Sequence, residues 1–321
     1  VGSITKPLSD CPTDHDVPFD LSAPALQLKR VMICTDFSEA SARAVEEAYR
    51  LCLRHGAELS LVHVLEHGDL SEWTDAQKEL ALLGLERRKE LRAMAAKLAT
   101  ATVHVRPVFL DGRPTKVLLH AIQETTPDLV VVGTHGRRGL GRLMLGSTAE
   151  AIIRNAACAV MAVGPGCTGV ARDLDSGPIV CATDFHEGAS GSILYGAFLS
   201  KEYQVPLHCI HVLPNSTVET KNHIVATIME TALRDLQATC GEEACRPVSR
   251  AVVGRDVSRA IVEYAREVHA SAVVLGVTRR PPVASHLPLR RTSRVLILAE
   301  CPVFTLSHEK HVSPLLRSSA R

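Results

Sequence analysis

Residues 130–163 read VVVGTHGRRGLGRLMLGSTAEAIIRNAACAVMAV. The apolar run that begins at Val130 ends at Gly133, and a loop carries Gly136 and Gly139 on to Gly146. Ser147-Thr148 then opens a helical pattern, which leads into a second apolar run at Ala159 to Val163. The pattern predicts a strand, a glycine loop, a helix start and a strand. A helix start presents unpaired backbone N–H groups and a partial positive charge, so glycines placed just before one let a phosphate approach the main chain. The stretch therefore predicts a nucleotide phosphate site.

Working outward, the same alternation of strand and helix fills the chain before it. Leu28 to Thr35 reads as a buried strand ending at Asp36, and Ser38 is placed to cap a helix that runs to about Arg54. Ala44, Val45, Ala48, Leu51 and Cys52 give that helix one apolar face. Strands follow at Glu58 to Leu65 and Val103 to Leu110, with a long helix between them from Thr74 to Thr100. In that helix Ala76, Leu80, Leu83, Leu91, Met94 and Leu98 form a stripe that Arg87 interrupts. Gly112-Arg113-Pro114 turns into a short helix over Thr115 to Glu124. Alternation of this kind predicts α/β architecture with a doubly wound parallel sheet, whose ligands bind beyond the carboxyl ends of the strands.

After Gly164 the pattern starts again. Thr35-Asp36-Phe37 recurs as Thr183-Asp184-Phe185 and His63-Val64-Leu65 as His211-Val212-Leu213, while Gly112, Gly133 and Cys158 recur as Gly254, Gly276 and Cys301. Such regular recurrence predicts two tandem copies of one domain of about 140 residues. The expected organisation is a disordered extension over 1–28, a first domain over 29–164, a linker over 165–177, a second domain over 178–307 and a tail over 308–321.

Composition narrows the classes. With 321 residues, 46% hydrophobic and 22% charged, the chain has ordinary globular content, and a net charge of +1 supplies no broad basic field for nucleic acid or membrane. No apolar run approaches the roughly 20 residues of a membrane helix. The first 30 residues lack the apolar core of a signal peptide, so a cytoplasmic location is expected. The ten cysteines include no CxxC pair and no Cys/His cluster at zinc spacing, which points to small buried thiols; Cys240 and Cys245, in a polar turn, stand apart.

Gly133, Gly136 and Gly146-Ser147 at these spacings, with Thr35-Asp36-Phe37-Ser38 and His63-Val64 ahead of them, resemble the universal stress protein family over the whole first copy. The resemblance implies a Rossmann-like domain, similar to the adenine nucleotide alpha hydrolases, that binds an adenine nucleotide and commonly dimerises. It implies that Thr35, Asp36 and the Val64 backbone lie near the adenosine end. Gly133, His135, Gly136, Gly146, Ser147 and Thr148 would then surround the phosphates of ATP, with or without magnesium. No residue is expected to be catalytic or to bind a metal directly.

Each of these positions also has a plainer reading. Asp36 can cap the helix after it, Gly133 and Gly146 can serve turns and packing, and Arg137, Arg138 and Arg142 can be solvated loop charges. His63 and His211 read as packed side chains rather than bases. In the second copy, Arg279 stands for Gly136 and Leu289-Arg290-Arg291 for Gly146-Ser147-Thr148, with prolines between that remove backbone donors. ATP is therefore expected in the first copy only. The expected role is non-catalytic and nucleotide-dependent in a stress response; a slow ATP hydrolase, a nucleotidyl or phosphoryl transferase, and an interaction scaffold are the alternatives. The fifth strands, Ala159 to Val163 and Pro302 to Leu306, are apolar enough to pair within one chain, and homodimerisation stays open.

Overall fold

Short runs of β-branched and aliphatic residues become the strands of a single sheet in the computed structural model, which describes residues 28–66, 75–134, 145–167, 173–184, 189–213, 247–278 and 290–308. The strands are β1 (Arg30–Cys34), β2 (Glu58–Leu65), β3 (Val105–Asp111), β4 (Leu129–Gly133), β5 (Ala159–Val163), β6 (Ile179–Ala182), β7 (Leu207–Leu213), β8 (Pro247–Val253), β9 (Ala272–Thr278) and β10 (Val303–His308). The helices are α1 (Glu39–His55), α2 (Asp75–Leu98), α3 (Pro114–Thr125), α4 (Ser147–Asn155), α5 (Ala189–Tyr203), α6 (Val257–Glu267) and α7 (Arg290–Leu298). The sheet order is β3-β2-β1-β4-β5-β10-β9-β6-β7-β8. Read inward from either edge it repeats the same five-strand order, so two copies of one doubly wound unit share one sheet.

Neighbours within each copy run parallel. Among the described residues only β5 and β10, where the copies meet, pair antiparallel, with Val303 opposite Ala162 and Thr305 opposite Val160. Met161 and Phe304 face each other across that seam and are each 1% exposed, so the join lies inside the apolar core. One core cluster takes in residues of α1, α2 and α5, and the other residues of α3, α4, α6 and α7, each spanning both copies. Burial on both faces is what continuous strands such as LVVVG require.

Local chemistry sets the helix ends. Ser38 caps α1 by accepting from the Ser41 N–H, and Gly56 closes it with φ of 61° and ψ of 31°. Gln204 holds the corresponding place after α5 with φ of 54°. The two closing bonds, Ala57 N–H to Cys52 O at 3.1 Å and Val205 N–H to Ser200 O at 3.0 Å, are equivalent. All five apolar residues expected on the inner face of α1 are buried.

Two expectations shift. On α2, Leu83 is exposed and the contact row runs through Gly84, Arg87, Leu91 and Ala95. Gly84 presses against β2, where a Cβ would lie 3.1 Å from the Leu65 side chain, and Arg87 lays its guanidinium 5.2 Å from the Phe37 ring. Arg87 therefore belongs to the inner stripe, its charged end covering an aromatic face. The segment expected as a linker packs closely where it is described: Gly166 and Gly177 lie against the carbonyls of Ala299 and His269 of the second copy, as Gly164 just before it lies against that of Leu296. The glycines of this segment provide backbone small enough for close approach. The expected extension over 1–27 and the tail beyond His308 lie outside the described residues, as do Cys240 and Cys245.

Candidate functional site

The parallel ladder brings distant residues of the first copy to one edge. Cys34, the last residue of β1, sits opposite Val62 of β2 and Val132 of β4. Thr35-Asp36, Val64 and Gly133 therefore project past the same rung, at the carboxyl ends of the strands. Chain connections leave β1 towards β2 on one side and reach β4 on the other, so the crevice lies at the point where the winding reverses. β2 continues to Leu65, which places the inner backbone edge of Val64 above the turn that follows β1.

That turn is tightly specified. Thr35 N–H donates to Val62 O at 2.8 Å, and Thr35 Oγ1 accepts from the Phe37 N–H at 3.1 Å and contacts Ser41 Oγ at 3.1 Å. Asp36 Oδ1 accepts from the Ser38 N–H at 3.0 Å. Asp36 thus shapes the turn, while the helix cap proper is Ser38. Phe37 adopts φ of 60°, a left-handed conformation that turns its ring onto His63 at 4.6 Å between centroids. His63 is 6% exposed, also meets Phe109 at 5.6 Å, and has Nδ1 2.8 Å from Thr35 O. It is a packed side chain that ties β2 to the turn, as the sequence suggested. Cys34 beside it is pushed up to about 12 by burial, so its thiol stays protonated.

On the other side of the crevice, Gly133 is set by packing. A Cβ there would lie 3.1 Å from Ala40 O and 3.3 Å from Ser41 N, so a larger residue would push the end of β4 a few tenths of an ångström off the first turn of α1. Thr134 next to it is fully buried, and Thr134 O accepts from the Gly146 N–H at 2.8 Å. This bond seats the amino end of α4 directly on the end of β4. Gly146 is the N-cap and makes no side-chain cap hydrogen bond. Among the described residues, a Cβ at Gly146 would meet only Thr134 O, at 3.4 Å, an ordinary contact. Ser147 is exposed and Thr148 half-buried at the helix start. His135 and Gly136, with Arg137, Arg138 and Arg142, fall outside the described residues.

Of the predicted site, the fold thus brings together Thr35, Asp36, Val64, Gly133, Gly146, Ser147 and Thr148. Sequence reading missed Thr134 and Ala40, which position the two glycines; both are small or hydroxylic residues with no pattern of their own. The acids nearest in sequence are all engaged. Asp111 pairs with Arg88 at 3.2 Å and Glu150 with Arg154 at 2.7 Å. Asp128 lies at the opposite, amino edge of the sheet, where it accepts from the Lys29 and Arg30 amides.

The second copy keeps the turn and alters the cradle. His211 Nδ1 lies 2.8 Å from Thr183 O, repeating the His63 contact. Past Gly276, however, β9 continues, with Val277 opposite Ser307 and Thr278 opposite His308 of β10. Where the first copy turns away after Gly133, the second extends its ladder. Its α7 begins with Arg290-Arg291 in place of Ser147-Thr148, and Arg291 O accepts from Ser258 Oγ at 3.0 Å.

Comparison with known proteins agrees with this duplicated architecture. The universal stress protein family profile matches residues 27–164 and again 176–306. A universal stress protein of Methanocaldococcus jannaschii is 30% identical over 141 residues, covering 42% of this chain and 81% of that protein. One from Thermus aquaticus is 32% identical over 135 residues, covering 42% and 98%. Among solved structures, a universal stress protein from Archaeoglobus fulgidus superposes with a TM-score of 0.69 at 18% identity, over 88% of this chain and 100% of that one. A functionally unknown protein from Pseudomonas aeruginosa superposes with a TM-score of 0.56 at 19% identity, over 91% and 97%. At these identities the superpositions speak for the fold, and the double profile match speaks for descent: the chain belongs to the universal stress protein family, with two copies of its domain in tandem.

Proposed function

We propose that the first copy binds ATP, with or without magnesium, across the crevice between β1 and β4, and that the bound nucleotide regulates the protein without being turned over. The observation that carries this reading is the amino end of α4, which has no side-chain cap among the described residues and is held against the end of β4 by the Gly146 to Thr134 bond at 2.8 Å. Unpaired amides and the helix dipole there suit a phosphate chain. Thr35, Asp36 and the edge of Val64 line the other side, with a carboxylate for ribose or base donors and a backbone edge for the base. Bound nucleotide would stabilise whichever arrangement of α4 and the β1 turn it fits best. Asp111, Asp128 and Glu150 are each committed to a structural partner, which favours binding over hydrolysis.

Calorimetric titration of the whole chain with ATP tests the reading. One site per chain is expected, and replacing Ser147 and Thr148 by the arginines of the second copy should weaken binding at least tenfold while leaving the thermal transition in place. Two equivalent sites, or unchanged affinity in the double variant, would sink it. Phosphate release measured in a single turnover separates regulation from hydrolysis.

A further inference from the structure

The two outer strands of the sheet are equivalent by register and unlike in chemistry. Pro107 of β3 lies opposite Leu61, and Ser249 of β8 lies opposite Cys209 at the same step of the repeat. β3 is guarded against further pairing. Pro107 offers no N–H to the open edge, Phe109 is covered by the Arg88 guanidinium at 4.1 Å, and Arg88 is pinned to Asp111 at 3.2 Å. On β8 the same three places hold Ser249, Ala251 and Val253, which restores the donor there and removes both ring and ion pair, leaving only Pro247, at the start of the strand, without an N–H. Val253 is 57% exposed.

Beside β8 the described residues form a groove of about 320 Å³ along α6, lined by Val252, Ala260 and Tyr264 together with Arg255, Asp256, Arg259, Glu263 and Glu267. Arg250, exposed at the centre of β8, folds its guanidinium back to Ser249 O at 3.3 Å. We propose that this edge docks an extended acidic segment of a partner protein as an added strand, with a carboxylate opposite Arg250. Main-chain bonds to the strand edge would supply affinity and the neighbouring groove the selectivity. A second copy of the chain fits poorly, because two-fold pairing centred on β8 sets Arg250 against Arg250.

A labelled nine-residue peptide of alternating threonine and valine with glutamate at its centre, added to the full chain, tests the proposal by fluorescence anisotropy. Saturable binding is expected, at least tenfold weaker with lysine at the central position. Ser249→Pro copies the guard that β3 already carries and should fold but lose binding. Arg250→Glu should invert the charge preference, and bound peptide should slow amide exchange across residues 248–253. The proposal is overturned if the peptide fails to saturate at millimolar concentration, or if Ser249→Pro binds it equally well. It is also overturned if sedimentation shows the peptide-free chain dimerising through a protected β8.

Discussion

His55 Nε2 lies 3.0 Å from the hydroxyl of Tyr203, a residue 148 positions later that holds the same place at the end of its own helix. The pseudo-two-fold relation between the copies thus makes a residue touch its own counterpart. Around that pair, Arg54 stacks 4.4 Å over the Tyr203 ring and bonds Asp175 at 2.9 Å, while His55 Nδ1 sits 3.7 Å from Glu202. Duplication gave both copies the same helix end, and divergence then gave the two ends complementary chemistry. The apolar seam at β5 and β10 is reinforced by a polar clasp on the α1 and α5 face.

Removing one oxygen tests the clasp. Tyr203→Phe keeps the ring beneath Arg54 and deletes the hydroxyl that meets His55, so stability should fall by about 0.5–1.5 kcal/mol, the usual worth of one hydrogen bond. Tyr203→Ala also removes a buried ring and should cost about 3–5 kcal/mol. Urea denaturation measures both; equal losses in the two variants would mean that the ring contributes nothing to the join.

Acid should loosen the same place. Burial holds the His55 imidazole below its ordinary range, with Arg54 acting in the same direction and Glu202 opposing. The unfolded chain therefore takes up a proton at higher pH than the folded one. Stability from neutral His55 is fully present above the unfolded value of 6.5 and declines as pH falls towards the lower folded value. His208, lowered by burial and Arg250, adds to the same trend. The melting-temperature advantage of the native chain over His55→Gln should narrow from pH 7.5 to pH 5; an advantage that widens would reverse the sign.

Much of this was legible in the sequence, and the remainder was hidden for identifiable reasons. Periodicity marked the strands because LVVVG and AVMAV are apolar on both faces, and repeated spacings revealed the duplication. The seam was legible only as two apolar strands, since antiparallel register depends on tertiary fit. Gly133 and Gly146 read alike as phosphate glycines, yet one is packed tightly against the Ala40 backbone and the other makes only an ordinary contact with Thr134 among the described residues. That difference depends on which atoms lie nearby, and one-dimensional spacing carries no trace of it. Arg87 read as a break in a stripe because charge was scored without regard to the aromatic ring that its side chain reaches.

The amino edge of the sheet offers a further test. Asp128 is 7% exposed, and its Oδ2 accepts from the amides of Lys29 and Arg30, both at 2.9 Å. Ser271 stands there in the second copy and donates instead, its one hydroxyl hydrogen directed at Gly177 O at 2.8 Å with Leu174 O also within reach at 3.0 Å. The polarity of the clamp has been inverted, so the two residues are not interchangeable. Asp128→Ala should cost about 1–3 kcal/mol from stranded donors, and Asp128→Asn, which keeps one acceptor oxygen, clearly less. Denaturant midpoints that match the native chain in both variants would deny the clamp any role.

Gly177 is where the connecting segment is held most tightly. A Cβ added there would lie 2.2 Å from the carbonyl oxygen of His269, which is itself backbone and cannot swing aside. The residue also supplies the carbonyl that Ser271 Oγ bonds, so a displaced Gly177 would break the clamp of the second copy as well. Gly177→Ala should therefore destabilise the protein by about 1–3 kcal/mol or more. Gly191 provides the opposite case: it lies within α5, and a Cβ there meets none of the described residues within 4 Å. Gly191→Ala should stabilise by about 0.4–1 kcal/mol, because alanine has fewer unfolded conformations to lose and favours the helix. Thermal melting of the two single variants decides the matter. If Gly177→Ala melts at or above the temperature of the native chain, the connection is looser than its close contacts imply.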